Sequence, residues 1–124
     1  MEQTLFVAIV VSDPLISQDV AGIFAFWQAG CVCRTFETVR QAREVPDGTF
    51  DPALVFVAAR GGVLDLDNED LSWVEQRAVI TLDLAETSYF PHWQHLNRPF
   101  TQAQVIQAAH CLMSAGDVER VDAE

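Results

Sequence analysis

Three nearly continuous apolar runs most constrain the fold of this chain. They are Leu5–Val11, Ala53–Ala59 and Ala78–Leu82. A strand with one solvated face alternates apolar and polar residues, whereas a strand buried on both faces of a parallel sheet reads as one apolar run. Each run is also far shorter than the roughly 18 apolar residues of a membrane-spanning helix. The sequence therefore predicts a parallel sheet with both faces covered.

Helical patterns separate these runs. Asp13 and Pro14 are typical of an N-cap and a first helical residue, and apolar residues then recur at helical spacing towards Gly30, a natural stop. Two later segments, Thr38–Gln41 and Thr101–Gln104, have the spacing of a capping box. Each of these signals predicts the beginning of a helix.

Two shorter strands complete the pattern, at Cys31–Phe36 and Trp93–Leu96. The segment between Leu82 and Trp93 contains Pro91 and is too short for a full helix, so we expect a shortened fourth helix there. Gly116 should end the last helix. The predicted organisation is one doubly wound α/β domain over residues 1–116, followed by an acidic tail at 117–124.

The charge of the chain excludes several functions. The net charge is -11, and all seven basic residues are arginine. Such a chain repels nucleic-acid phosphates and anionic lipid, so we expect neither nucleic acid nor membrane as a partner. The absence of lysine excludes Schiff-base chemistry and a Walker lysine. Because Leu5–Val11 lacks the flanks of a signal peptide, we expect a cytoplasmic protein.

Candidate metal and thiol sites are weak. The acidic run Asp65–Asp70 lacks the glycine and the final glutamate of a calcium loop, and it suits the start of a helix better. His92, His95 and His110 lack a nearby pair of cysteine ligands. The cysteines, which are odd in number, favour small core residues over a disulfide framework. We expect no metal and no cofactor.

The order and spacing of four motifs resemble the receiver domains of two-component response regulators. They are residues 10–16 (Val-Val-Ser-Asp-Pro-Leu-Ile), Gly30, Arg60-Gly61-Gly62 after an apolar strand, and Arg98-Pro99-Phe100. The last is similar to the family's Lys-Pro-Phe. The resemblance covers about residues 3 to 114. It implies a flavodoxin-like, CheY-like fold with five parallel strands in the order 2-1-3-4-5.

The resemblance also implies where a phosphorylation pocket would lie, and this chain departs from the family at each position. The family's magnesium-binding acids fall on Val11 and Ser12, next to Asp13. Its phosphoacceptor aspartate falls on Ala58 or Val57. The positions of its Thr or Ser, its Lys and its aromatic switch residue are those of Asp83, Arg98 and His95.

These departures predict a degenerate receiver, or pseudo-receiver. It would not be phosphorylated, would not be an enzyme, and would act by binding a protein, either a kinase or a regulator. Arg98 would pair with Asp83 or Asp13, as a guanidinium suits carboxylates; the alternative is a solvated arginine. A flavodoxin-like small-molecule-binding domain is the other candidate function, although residues 12–15 contain no glycine and present an acid.

Aromatic residues near the fourth connection suggest a contact surface. We single out Trp93 and Phe100 as candidate interface residues, because aromatic residues are enriched at binding hot spots. A homodimer would use the same region, namely the fourth connection, the fifth strand and the last helix. The alternative is that these rings fill the core in place of the missing helix.

Overall fold

The computed structural model describes residues 5–45 and 50–122, and the side chains of residues 114–122 lie outside the description. Four helices and five strands alternate over most of the chain, with no helix between the last two strands. Residues 1–4 and 123–124, at the ends of the predicted domain and tail, are outside the described residues. The elements are β1 Phe6–Val10, α1 Pro14–Trp27, β2 Val32–Phe36, α2 Val39–Arg43, β3 Leu54–Ala58, α3 Asn68–Glu75, β4 Ala78–Leu82, β5 Gln94–Leu96 and α4 Gln102–Asp122.

The strands form one parallel sheet in the order β2-β1-β3-β4-β5. This confirms the predicted fold class and strand order. Successive side chains of a strand point to opposite faces, and the sheet accordingly has two cores. On one face, α1 and α4 pack over residues that include Ile9 and Phe56. On the other, α2 and α3 pack over residues that include Val10 and Val57.

The predicted helix starts agree with the structure. The Asp13 side chain caps α1 by accepting a hydrogen bond from Leu15 N at 2.9 Å, and Pro14 is the first helical residue. The Thr38 side chain caps α2 in the same way. The acidic run begins α3, where Asp67 and Asp70 form a capping box. A helix start, and not a calcium loop, explains those acids.

Three predictions about the helices are wrong, one on the existence of a helix and two on where a helix ends. The connection 83–93, all of which is described, contains no helix, so the expected short fourth helix is absent. Helix α1 ends at Trp27, and Gly30, with φ 86°, lies in the following turn. Helix α4 continues past Gly116 to Asp122, because an interior glycine weakens a helix by only about 1 kcal/mol relative to alanine and does not by itself end it. In the described part of the chain, no helix is both long and apolar enough to span a bilayer.

Candidate functional site

A cleft opens at the carboxyl ends of β1, β3, β4 and β5, where the sequence placed the degenerate pocket. Ala58 lines this cleft beside Asp83 and Arg98. Val57 is buried in the core under α2 and α3 and lines only an adjoining cleft. Of the two residues at the predicted phosphoacceptor position, Ala58 is therefore the one that faces this cleft. The residues that line the cleft are Val10, Val11, Ser12, Asp13, Ile16, Glu37, Ala58, Ala59, Arg60, Leu82, Asp83 and Arg98.

Asp83 and Arg98 form the predicted ion pair. Arg98 Nε donates to Asp83 Oδ2 at 2.6 Å, and the backbone N–H of Arg98 donates to Oδ1 at 2.9 Å. The backbone of Asp83 has a left-handed φ of 64°, and its N–H donates to Leu96 O at 2.8 Å. Asp83 is thus bonded to the end of β5 at three points. The alternative partner, Asp13, is instead the cap of α1.

The electrostatics of the pair follow from this geometry. The hydrogen bond from the Arg98 backbone, together with that from its guanidinium, holds the pKa of the Asp83 carboxyl below its ordinary value, against the opposing effect of burial. Arg98 remains more than half exposed, so solvent screens the attraction between the charges. The bridge therefore orients the two residues more than it stabilises the fold.

The lowered pKa of Asp83 predicts a pH-dependent stability. The stabilisation is present above the unfolded-state pKa, near 3.9, and is lost as pH falls through the lower folded-state pKa. We expect Asp83→Asn to reduce the free energy of unfolding by about 1 kcal/mol at neutral pH. Urea unfolding at several pH values should show this difference shrinking as the pH falls below 4. A difference that stays constant with pH would contradict the assignment.

His95, at the position of the switch residue, is held from both sides. Its Nε2 lies 2.9 Å from Phe90 O, a group that can only accept, so Nε2 carries the proton. Its Nδ1 lies 2.7 Å from Thr81 Oγ1, and in neutral imidazole it accepts the hydroxyl proton. Thr81 is completely buried. The sequence analysis did not identify Thr81, although a hydroxyl in an apolar strand is a signal that it needs a polar partner.

The loops after β3 and β4 are joined at the rim of the cleft. The N–H of Ala85 donates to Gly62 O at 2.9 Å. A Cβ on Gly62 would lie 2.9 Å from Ala85 Cβ, and Gly62 has φ 82°. Glycine is therefore required by both its conformation and the close approach of the two loops. This contact fixes the connection 83–93 in the absence of a fourth helix.

Two charged residues of the cleft, Arg60 and Glu37, were not among the predicted site residues. Both are exposed; Glu37 directly follows β2, and Arg60 lies two residues after the end of β3. Their position after strands of a parallel sheet was the available signal, since ligands gather at the carboxyl ends of such strands. Arg60 adds a second cation to the cleft, whose carboxylates are those of Asp13, Glu37 and Asp83.

The aromatic candidates for an interface are largely part of the core. Trp93 is only 8% exposed and stacks on Phe90 with ring centroids 4.1 Å apart. Its prediction as an exposed contact residue is wrong, because its ring fills the space beside the irregular connection. Phe100 is half-buried, and the centroid of its ring lies 6.3 Å from that of Phe56. Tyr89, by contrast, is 78% exposed.

The three cysteines are free thiols, and each is partly buried. Cys31 and Cys33 share a face of the sheet, with their Sγ atoms 3.8 Å apart. Burial, reinforced by Cys31, raises the pKa of Cys33 to about 12, so its thiol is protonated and a poor nucleophile at neutral pH. Among the described residues, no three His, Cys, Asp or Glu side chains are grouped as metal ligands.

Comparisons with known proteins agree on the fold. No protein-family model matches the chain, and no curated protein matches it in sequence. The signal receiver domain of a LuxO repressor protein from Vibrio parahaemolyticus is 14% identical, with a TM-score of 0.70 and coverage of 96% of this chain and 97% of that one.

Two further solved structures give the same result. A CheY-like response regulator from Mesorhizobium loti is 20% identical, with a TM-score of 0.64 over 86% of this chain and 97% of that one. SdrG from Sphingomonas melonis is 23% identical, with a TM-score of 0.65 over 91% of this chain and 99% of that one. The chain therefore has the fold of a CheY-like receiver domain.

Proposed function

We propose that this chain is a receiver-like domain of bacterial two-component signalling that takes up no phosphoryl group and acts by binding another protein. The observation that carries the proposal is the content of the cleft. Ala58, which lines the cleft, and Val57 are the two residues that the resemblance aligns with the family's nucleophile, and the neighbouring cation, Arg98, is already bonded to Asp83. An alanine side chain has no atom that could attack phosphorus.

The rest of the cleft also differs from a magnesium and phosphate site. Magnesium prefers carboxylate oxygens, and the two positions that would supply them hold Val11 and Ser12. Asp13 lies beside them, but its carboxylate accepts the hydrogen bond that caps α1. The same bond occupies an N–H at the start of α1 that a bound phosphate would otherwise use, which argues against a flavodoxin-like phosphate site.

The absence of phosphoryl transfer can be tested directly. We expect no gain of a phosphoryl group in the intact mass of the protein after incubation with acetyl phosphate and Mg²⁺. A phosphorylatable receiver domain in a parallel reaction is the positive control. Stoichiometric phosphorylation of any residue, located by peptide mapping, would overturn this part of the proposal, and Glu37 and Asp83 are the carboxylates to inspect first.

We propose that the protein partner, a kinase or a regulator, contacts the face formed by the connection 83–93, β5 and α4. The exposed ring of Tyr89 and the half-exposed Arg98 support this face. The domain would then be a binding module and not an enzyme. A partner captured on the immobilised protein should bind equally with and without acetyl phosphate, and Tyr89→Ala should weaken its binding. Binding that requires acetyl phosphate would contradict the proposal.

A further inference from the structure

The acidic residues are segregated along the chain. All 18 lie outside two segments, 20–36 and 87–116, whose only arginines are Arg34 and Arg98. These segments contain most of α1 and the described side chains of α4, and both helices cover the same face of the sheet. Among the side chains that the structure describes, those of α1 and α4 on this face therefore carry few charges. On a molecule of net charge -11, like charges oppose the association of two copies through its acidic surfaces.

The outer face of α1 carries an unusual apolar pair on this side. Phe26 is 73% exposed. Gly22, one helical turn earlier and also exposed, has open space where a Cβ would be, with no heavy atom of the described residues within 4 Å. Glycine weakens an exposed helix relative to alanine, and no contact with a described side chain accounts for its presence. Ala25 is exposed beside them on the helix, and Ala29 is exposed in the turn that follows α1; these four residues define the α1 surface.

We propose that a second copy of this chain packs on the α1 surface, with the two α1 helices antiparallel and Phe26 of each copy over Gly22 of the other. This contact is self-complementary, as a two-fold interface requires. The inference does not depend on the proposed function, which concerns a different face.

Asp19, the acid within α1 itself, determines the orientation of the helices. Asp19 lies on the same side of α1 as Gly22 and Phe26. Parallel helices in register would bring the two Asp19 carboxylates together. An antiparallel pair centred between Gly22 and Phe26 separates the two Asp19 positions by about 15 Å along the helix axis. This exceeds the screening length at physiological salt.

The test is the oligomeric state, measured by sedimentation velocity from low micromolar to near-millimolar protein. The unmodified protein should show a concentration-dependent dimer. Phe26→Glu should weaken dimerisation at least about 100-fold, since each dimer loses two buried rings and gains two like charges. Val63→Glu is the matched control, because Val63 is also an exposed apolar residue and lies away from α1. It should leave dimerisation unchanged.

Gly22→Ala tests whether the space above Gly22 is filled by the second copy or is simply open to solvent. The added methyl group should raise the thermal midpoint of the monomer in dilute solution, because it favours the helix. It should also weaken dimerisation at least about tenfold by filling the space that Phe26 of the other copy occupies. A monomer at all concentrations, a dimer insensitive to both α1 variants, or a dimer disrupted by Tyr89→Glu but not by Phe26→Glu would overturn the proposal.

Discussion

Replacing Gly62 by alanine is expected to reduce the free energy of unfolding by about 2–4 kcal/mol. Two effects combine at this position. The backbone has φ 82°, a conformation that disfavours any side chain, and the new Cβ would lie 2.9 Å from Ala85 Cβ. To relieve that overlap, the loops after β3 and β4 must separate, which breaks the hydrogen bond between Ala85 N and Gly62 O.

Gly61→Ala is the matched control for this prediction. Gly61 is the preceding residue and also has positive φ, 58°, but a Cβ there would meet no atom of the part of the chain that the structure describes within 4 Å. It should cost only about 1–2 kcal/mol, the price of the left-handed backbone alone. Urea unfolding of the two variants under identical conditions measures the difference. Equal losses would show that the approach of Ala85 to Gly62 contributes nothing to stability.

The Asp83–Arg98 pair could be predicted because it depends on topology. Both residues follow parallel strands, and strand order alone makes β4 and β5 neighbours. The sequence left Asp13 as an alternative partner for Arg98. The choice between them depends on side-chain hydrogen bonding, since Asp13 accepts from Leu15 N while Asp83 turns back to β5. That local geometry is not encoded in spacing.

Two of the errors have a common physical origin in the connection 83–93. Trp93 was proposed as an interface residue because aromatic residues are enriched at binding hot spots, with core filling as the alternative. Without a helix, however, the sheet face beside it must be covered by side chains, and the stacked rings of Phe90 and Trp93 do this. The pairing of Thr81 with His95 was missed for a similar reason. Aromatic and polar side chains that replace a helix follow no periodicity that a sequence could reveal.

The second prediction concerns Asp70, the last residue of the acidic run that begins α3. This carboxylate is buried, accepts from Arg43 Nε at 2.6 Å, and also accepts from the backbone N–H of Asp67 at 3.2 Å. The sequence indicated a helix start at these acids but could not show that an arginine from α2 would meet them. The Arg43 side chain is itself only 17% exposed, so the ion pair joins α2 to α3 in a poorly solvated position.

Asp70→Ala is expected to reduce the free energy of unfolding by about 2–3 kcal/mol. Removing one partner of a buried ion pair costs about 3–5 kcal/mol when the other charge is left uncompensated. Here Glu69 and Asp67 lie 3.6 and 3.8 Å from Arg43 and compensate part of its charge, which lowers the expected loss. Urea unfolding at neutral pH measures the effect.

Two further variants separate the charge of Asp70 from its role in the helix start. Asp70→Asn removes the charge and keeps one oxygen, which can accept from Arg43 or from Asp67 N but not from both, because these donors bond different oxygens of the carboxylate; we expect about half the loss. Glu75→Ala removes an exposed acid from the last turn of the same helix, where the helix dipole disfavours it, and should be neutral or slightly stabilising. If Asp70→Ala were as mild as Glu75→Ala, the ion pair between α2 and α3 would have no part in holding these helices together.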